Sequence, residues 1–207
     1  MQGKRNQTTE KSILEVAERL FLEKGFASTS TTMIAKAVGC NQSLIHYYYR
    51  SKEKLFQLVY EKYLFTFISG LTDIGDKELT FEERLKHCVY TQFEMLQANP
   101  EIVFYLINEL TTNPIRLFAI KEQIKTVSSD ILQLIGRELQ IEINNVNIQP
   151  ITPIDFMLNI FSLNAGVFLF YSIAKKLSVF TDEELQALIA KRKEENYRII
   201  LKSVLIR

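Results

Sequence analysis

Apolar residues return every three or four positions along most of this 207-residue chain. Ile13, Val16, Ala17, Leu20 and Phe21 show the interval, which lays one apolar stripe along an amphipathic helix. No segment alternates with a period of two between hairpin turns, so strands are not expected. Helix starts are marked by chemistry as well as by pattern. Asn99-Pro100, Asn113-Pro114 and Thr152-Pro153 each set a capping side chain before a proline suited to the first helical position. Thr80 with Glu83, and Thr181 with Glu184, have the spacing of a capping box, in which the glutamate reaches back to the amide of the cap. The pattern predicts an all-α fold of about nine helices, over 9–24, 31–38, 42–49, 52–72, 80–98, 100–112, 114–140, 152–178 and 181–205. The Asn-rich stretch 140–150 ends in proline and reads as a loop.

The second and third predicted helices are short and close together, the geometry of a helix-turn-helix. Ala35 is small where the two helices touch, and Gly39 tolerates the positive φ of the turn. Ile34, Val38, Cys40 and Ile45 fall on the inward side. Asn41 then caps the next helix and leaves Gln42, Ser43, His46 and Tyr47 facing outward. Residues early in such a helix meet base edges in the major groove. Gln42 carries the paired donor and acceptor that suits adenine, and Ser43 suits either purine or pyrimidine. Ser30, Thr31 and Thr32 begin helix 31–38, where backbone amides and the positive end of the dipole favour a phosphate. Plain capping would use the same groups. Lys4 and Arg5 precede the first helix, either as an arm toward the minor groove or as a solvated tail.

Lys24-Gly25-Phe26, Thr29-Ser30, Ile34-Ala35, Gly39 and the run Ser51-Lys52-Glu53-Lys54-Leu55 carry a further signal. Through them residues 9–60, about a quarter of the chain, resemble the N-terminal domain of the tetracycline-repressor (TetR) family of bacterial transcription regulators. The resemblance implies a homodimer with a helix-turn-helix domain over 1–54 and a larger helical domain over 55–207 that dimerises and, as is often so in the family, binds a small molecule. Residues 1–11 lack the apolar stretch of a signal peptide, and a cytoplasmic protein is expected. Its partner would be a palindromic double-stranded DNA operator. Tyr48 and Lys52 match positions where the family touches phosphate, and Tyr49 matches an inward phenylalanine. Tyr47 falls at a variable outward position. His46 stands where a tyrosine is usual, which leaves open whether it meets phosphate directly, through water, or not at all.

Composition adds a modest bias. Residues 1–54 hold nine Lys/Arg against five Asp/Glu, and residues 55–207 hold sixteen against nineteen, so the basic side faces the proposed DNA. Two cysteines, Cys40 and Cys88, make neither a disulfide framework nor a zinc quartet, and both read as small buried hydrophobes. The apolar segment 154–174 is long enough to approach a membrane span. It contains Asp155, Asn159 and Asn164, and reads as a buried helix. Residues 55–207 show no nucleophile elbow, phosphate loop, zinc motif or dinucleotide fingerprint, so neither an enzyme nor a cofactor is expected. His87 has no sequence-adjacent partner that would make a catalytic base system, and it reads as a surface or half-buried group.

Helices 152–178 and 181–205 are expected to pair with a second copy, with Ser162, Ala165 and Gly166 allowing close approach. Phe65, Tyr90, Phe93, Phe104, Tyr105, Asn108, Phe161, Asn164 and Phe168 are candidates to line a pocket for a small, mostly apolar ligand. Glu109 or Arg116 would pair with a charged one. Aromatics at this spacing equally build an ordinary core. Two competing readings stand: a DNA-binding regulator without an inducer, and an enzyme or carrier that keeps a helix-turn-helix start.

Overall fold

Thr80, Thr152 and Thr181 cap helices as their contexts require. The Thr80 hydroxyl accepts from the Glu83 amide at 3.3 Å, and the Glu83 carboxylate accepts from the Thr80 amide at 2.9 Å. Hydrogen bonds from the Thr80 hydroxyl and amide hold the Glu83 carboxyl below its usual range. In this computed structural model the backbone is described for residues 2–112 and 114–206. The side chains of 2–7, 66, 67, 69, 109, 110, 114–117, 119, 120, 123 and 124 lie outside the description, which takes in Lys4, Arg5, Glu109 and Arg116. Asn113, an expected cap, is likewise outside the described residues.

Among the described residues the fold is all-helical. The order is α1 (Gln2–Ser28), α2 (Thr31–Val38), α3 (Gln42–Tyr49), α4 (Lys52–Ser69), a 3₁₀ turn at Thr72–Gly75, α5 (Phe81–Ala98), α6 (Ile102–Thr112), α7 (Pro114–Asn144), α8 (Pro153–Leu177) and α9 (Asp182–Val204). The chain divides into two compact units, Met1–Leu64 and Phe65–Arg207, with the division inside α4.

Departures from the expected bounds have identifiable causes. α1 begins at Gln2, so Lys4 and Arg5 belong to a helix and do not precede it. Near its end the backbone turns at Gly25, with φ 77° and ψ 167°. There the Thr29 hydroxyl donates to the carbonyls of Leu20 and Gly25 at 3.1 and 2.9 Å. Asn99 does not cap α6. It closes α5, its amide donating to Leu96 O at 3.2 Å, and α6 starts only at Ile102. α7 runs on to Asn144 because Ile131, Ile135, Glu138, Leu139 and Glu142 share one buried stripe. The loop that follows is pinned by an antiparallel bridge between Ile148 and Leu205.

α8 is apolar and long enough to cross a membrane by length and composition. Its Phe156, Ile160, Asn164, Val167, Phe168 and Tyr171 are buried, and the helix packs against α5, α6, α7 and α9. Cys88 is fully buried, which pushes its thiol up to about 12, whereas Cys40 is only half-buried. His87 is exposed on α5.

Candidate nucleic-acid interface

The helix-turn-helix is built from the inside out. Ile34, Ala35 and Ile45 are buried between α1, α2 and α3, while Val38 is half-buried. Ser30 caps α2 by accepting from the Met33 amide at 3.1 Å. Gly39 sits at φ 76°, ψ 32°, a conformation that disfavours a side chain, and Cys40 N donates back to Ala35 O at 3.0 Å. Asn41 caps α3 by accepting from the Ser43 amide at 2.9 Å. The Asn41 side-chain oxygen therefore already serves the helix.

α3 presents Gln42, Ser43, His46 and Tyr47 outward, Tyr47 being 67% exposed. Tyr49 holds the opposite face. It is 6% exposed and its hydroxyl donates to Glu10 O at 2.8 Å. Burial, reinforced by Glu10, pushes that hydroxyl up to about 12. Tyr48 is half-buried and stands edge-on to Tyr47 at 5.0 Å between ring centroids. His46 Nδ1 lies 3.2 Å from the carbonyl of Arg50, which closes α3 at φ 67°.

Gln42 does not point out alone. Its Nε2 donates to Thr31 Oγ1 at 2.8 Å, and Thr32 Oγ1 donates to its Oε1 at 3.2 Å. Lys52 is also engaged: its ammonium donates to Phe26 O at 2.9 Å and Thr29 O at 2.8 Å, and lies 3.9 Å from the Phe26 ring centroid. Gly25, Phe26, Thr29 and Lys52 thus build one corner of the first unit. Sequence reasoning placed Lys52 on phosphate and missed this tie. A helix end leaves its last carbonyls without partners in the helix, and that was the available signal.

In the second unit the pocket candidates separate. Phe93 and Phe168 are fully buried and edge-on to each other at 5.0 Å. Tyr105 is buried and Phe161 half-buried. Phe65, Phe104 and Asn108 are exposed, with the Lys176 ammonium 4.1 Å from the Phe104 ring centroid. Tyr90 donates to the Glu194 carboxylate and stands edge-on to Tyr197. Burial and then Glu194 push its hydroxyl up to about 12.

Asn164 is fully buried and acts as a hub. It donates to Val89 O at 3.0 Å and Gln92 Oε1 at 3.1 Å, and accepts from Asn196 Nδ2 at 2.9 Å. A second buried cluster went unseen in sequence. Arg84 donates to Ile74 O at 2.9 Å, to Glu138 at 3.0 Å and to Glu142. Lys77 reaches Glu138 as well, and Asn147 donates to Glu142 at 2.7 Å. A cleft of about 840 Å³ opens beside this cluster, lined by residues that include Thr80, Glu82, Glu83, Lys86, Asn145 and Tyr197. Its Glu83, Arg84 and Glu142 are already paired within the protein. Among the described residues, no three His, Cys, Asp or Glu side chains gather to hold a metal ion.

Residues 13–59 match the family described as bacterial regulatory proteins, tetR family. The HTH-type transcriptional regulator AcrR of Shigella flexneri is 35% identical over 78 residues, or 38% of this chain and 33% of that protein. The chain therefore matches about a third of that relative's length. A TetR family transcription regulator from Marinobacter aquaeolei VT8 has the same fold, with a TM-score of 0.68, 20% identity and full coverage of both chains. The transcriptional regulator FadR from Bacillus subtilis, solved in complex with stearoyl-CoA, superposes with a TM-score of 0.69 at 16% identity, covering 93% of this chain and 98% of that one.

Proposed function

From a chain that is TetR-like in its N-terminal motif and in its fold, we propose a cytoplasmic, homodimeric transcriptional repressor, not an enzyme, that binds a palindromic operator. A small, mostly apolar ligand taken up by residues 55–207 releases it. The observation that carries the reading is the outward row of α3, Gln42, Ser43, His46 and Tyr47, braced from behind by buried Ile45 and Tyr49. Such a row gives base-reading groups fixed positions in the major groove. Gln42 and Ser43 take base edges. Tyr48, Lys52 and the amides near Ser30 take phosphate, with Asn41 holding the start of α3, Thr31 and Thr32 lying against Gln42, and His46 and Tyr47 flanking it.

Dimerisation is supported by the uncovered side of α8. Ile154, Leu158, Phe170, Ile173 and Leu177 are exposed there, in line with exposed Ser162 and Gly166. An apolar ridge with small residues at its centre suits close packing against its twofold mate. Support for an apolar ligand comes from FadR, whose stearoyl-CoA carries a long acyl chain. A regulator without an inducer is the second reading. It is favoured by the direct contact of Phe93 with Phe168 and by the internally bonded Asn164.

Selection of bound sites from random duplex DNA tests the proposal. Enrichment of an inverted repeat is expected, and enrichment of nothing at low salt would refute DNA reading. Fluorescence anisotropy on the enriched site, with fatty acyl compounds added, then separates the two regulatory readings. Release supports an inducer, and unchanged binding across the series supports its absence.

A further inference from the structure

The amide of Gln42 is held by two hydroxyls from another helix. Thr31 and Thr32 are adjacent at the first turn of α2 and bond Gln42 at 2.8 and 3.2 Å, one as acceptor and one as donor. A primary amide has two N–H donors and two acceptor lone pairs. The threonines take one of each. One N–H and one lone pair remain, the combination that a bidentate contact to adenine requires. All three side chains are at or near the surface, so packing does not fix Gln42 there. A glutamine has three rotatable torsions, and ordering such a side chain on binding lowers affinity for the matching site.

We propose that Thr31 and Thr32 are positioning residues for base recognition: their hydroxyls clamp the Gln42 amide and so set how strongly α3 prefers one base pair. The inference rests on the reading of α3 as the recognition helix. It assigns the threonines a role different from direct phosphate contact. Phosphate contact strengthens binding to every sequence alike, whereas a clamp on a base-reading group changes the ratio between sequences.

The test uses the full chain, a duplex carrying the selected site, and single-base variants of that site in competition binding. Gln42→Ala first identifies the base pair whose preference it alters. At that pair, Thr31→Val with Thr32→Val should lower the preference by roughly two- to tenfold, the range expected for ordering one flexible side chain. Serine at both positions keeps the hydroxyls and should keep the preference. Adding the valines to Gln42→Ala should change that ratio no further, since the residue they act through is gone. Circular dichroism checks the fold, and Thr32→Val alone serves if the double variant does not fold.

Equal weakening on all sequences, with the ratio intact, would overturn the clamp and make the hydroxyls phosphate contacts. If Gln42→Ala alters no base preference, the reading of α3 itself fails. If Gln42→Ala alters it and the valines do not, only the clamp fails.

Discussion

The first unit keeps Gln42, Ser43, His46 and Tyr47 at its surface, while the second buries Asn164, Asn196, Gln92, Arg84, Glu138 and Glu142. Gln42 and Asn164 are both hydrogen-bonded, but to different ends. Gln42 is held by two exposed hydroxyls and retains bonding capacity toward solvent. Asn164 has both donors and its oxygen engaged inside the core, joining α5, α8 and α9. A polar cluster is therefore a candidate for recognition only where it faces outward with capacity left over. Buried and mutually paired, it specifies how helices pack.

The largest expected effect is in the second unit. Arg84→Met leaves Glu138 and Glu142 without their buried cation and should lower unfolding free energy by about 3–5 kcal/mol, read from urea melts. A loss below about 1 kcal/mol would place the cluster with solvated surface pairs and weaken the contrast. Asn164→Ala comes next, at about 2–3 kcal/mol, because Asn196, Gln92 and Val89 each lose a partner away from water. Base preference should not change in either variant.

In the first unit, Tyr49→Phe should cost about 1 kcal/mol through the lost bond to Glu10 O. It should also reshape the alkaline stability curve. Folding raises the Tyr49 hydroxyl from 10 to about 12, so it favours the protonated form. That contribution is whole below pH 10 and disappears as the pH rises through about 12. Chemical melts between these values should fall less steeply for Tyr49→Phe than for the unaltered protein. Identical slopes would mean that the buried hydroxyl titrates as it does in the unfolded chain.

These effects separate what local sequence encodes from what only tertiary contact decides. Thr80, Thr152, Thr181, Asn41 and Gly39 announce helix ends because the chemistry of a cap is complete within four residues. The 3₁₀ turn at Thr72–Gly75 and the last turn of α7 were not legible, since each meets Arg84 through a tertiary bond that its own local sequence does not encode. A sign was present nonetheless. Arg84 lies on the same stripe as Phe81, Leu85, Cys88 and Gln92, and Glu138 and Glu142 lie on that of Ile131 and Ile135. Opposite charges on inward stripes of two helices are the pattern of a buried pair. The aromatic candidates show the opposite limit. Helical spacing places Phe93 and Phe168 inward but does not say whether they face a pocket or each other, and here they face each other. Lys52 was legible as a basic residue in the right motif, while its bonds to Phe26 O and Thr29 O depend on how α1 ends.

The contrast between the units rests most directly on the base-preference profile of Gln42→Ala, measured over every single-base variant of one half-site. Stability should move by less than about 0.5 kcal/mol. Preference at one base pair should fall by about 1–3 kcal/mol, with the other positions unchanged. A profile identical to that of the unaltered protein would contradict the account and leave α3 as one more packed helix.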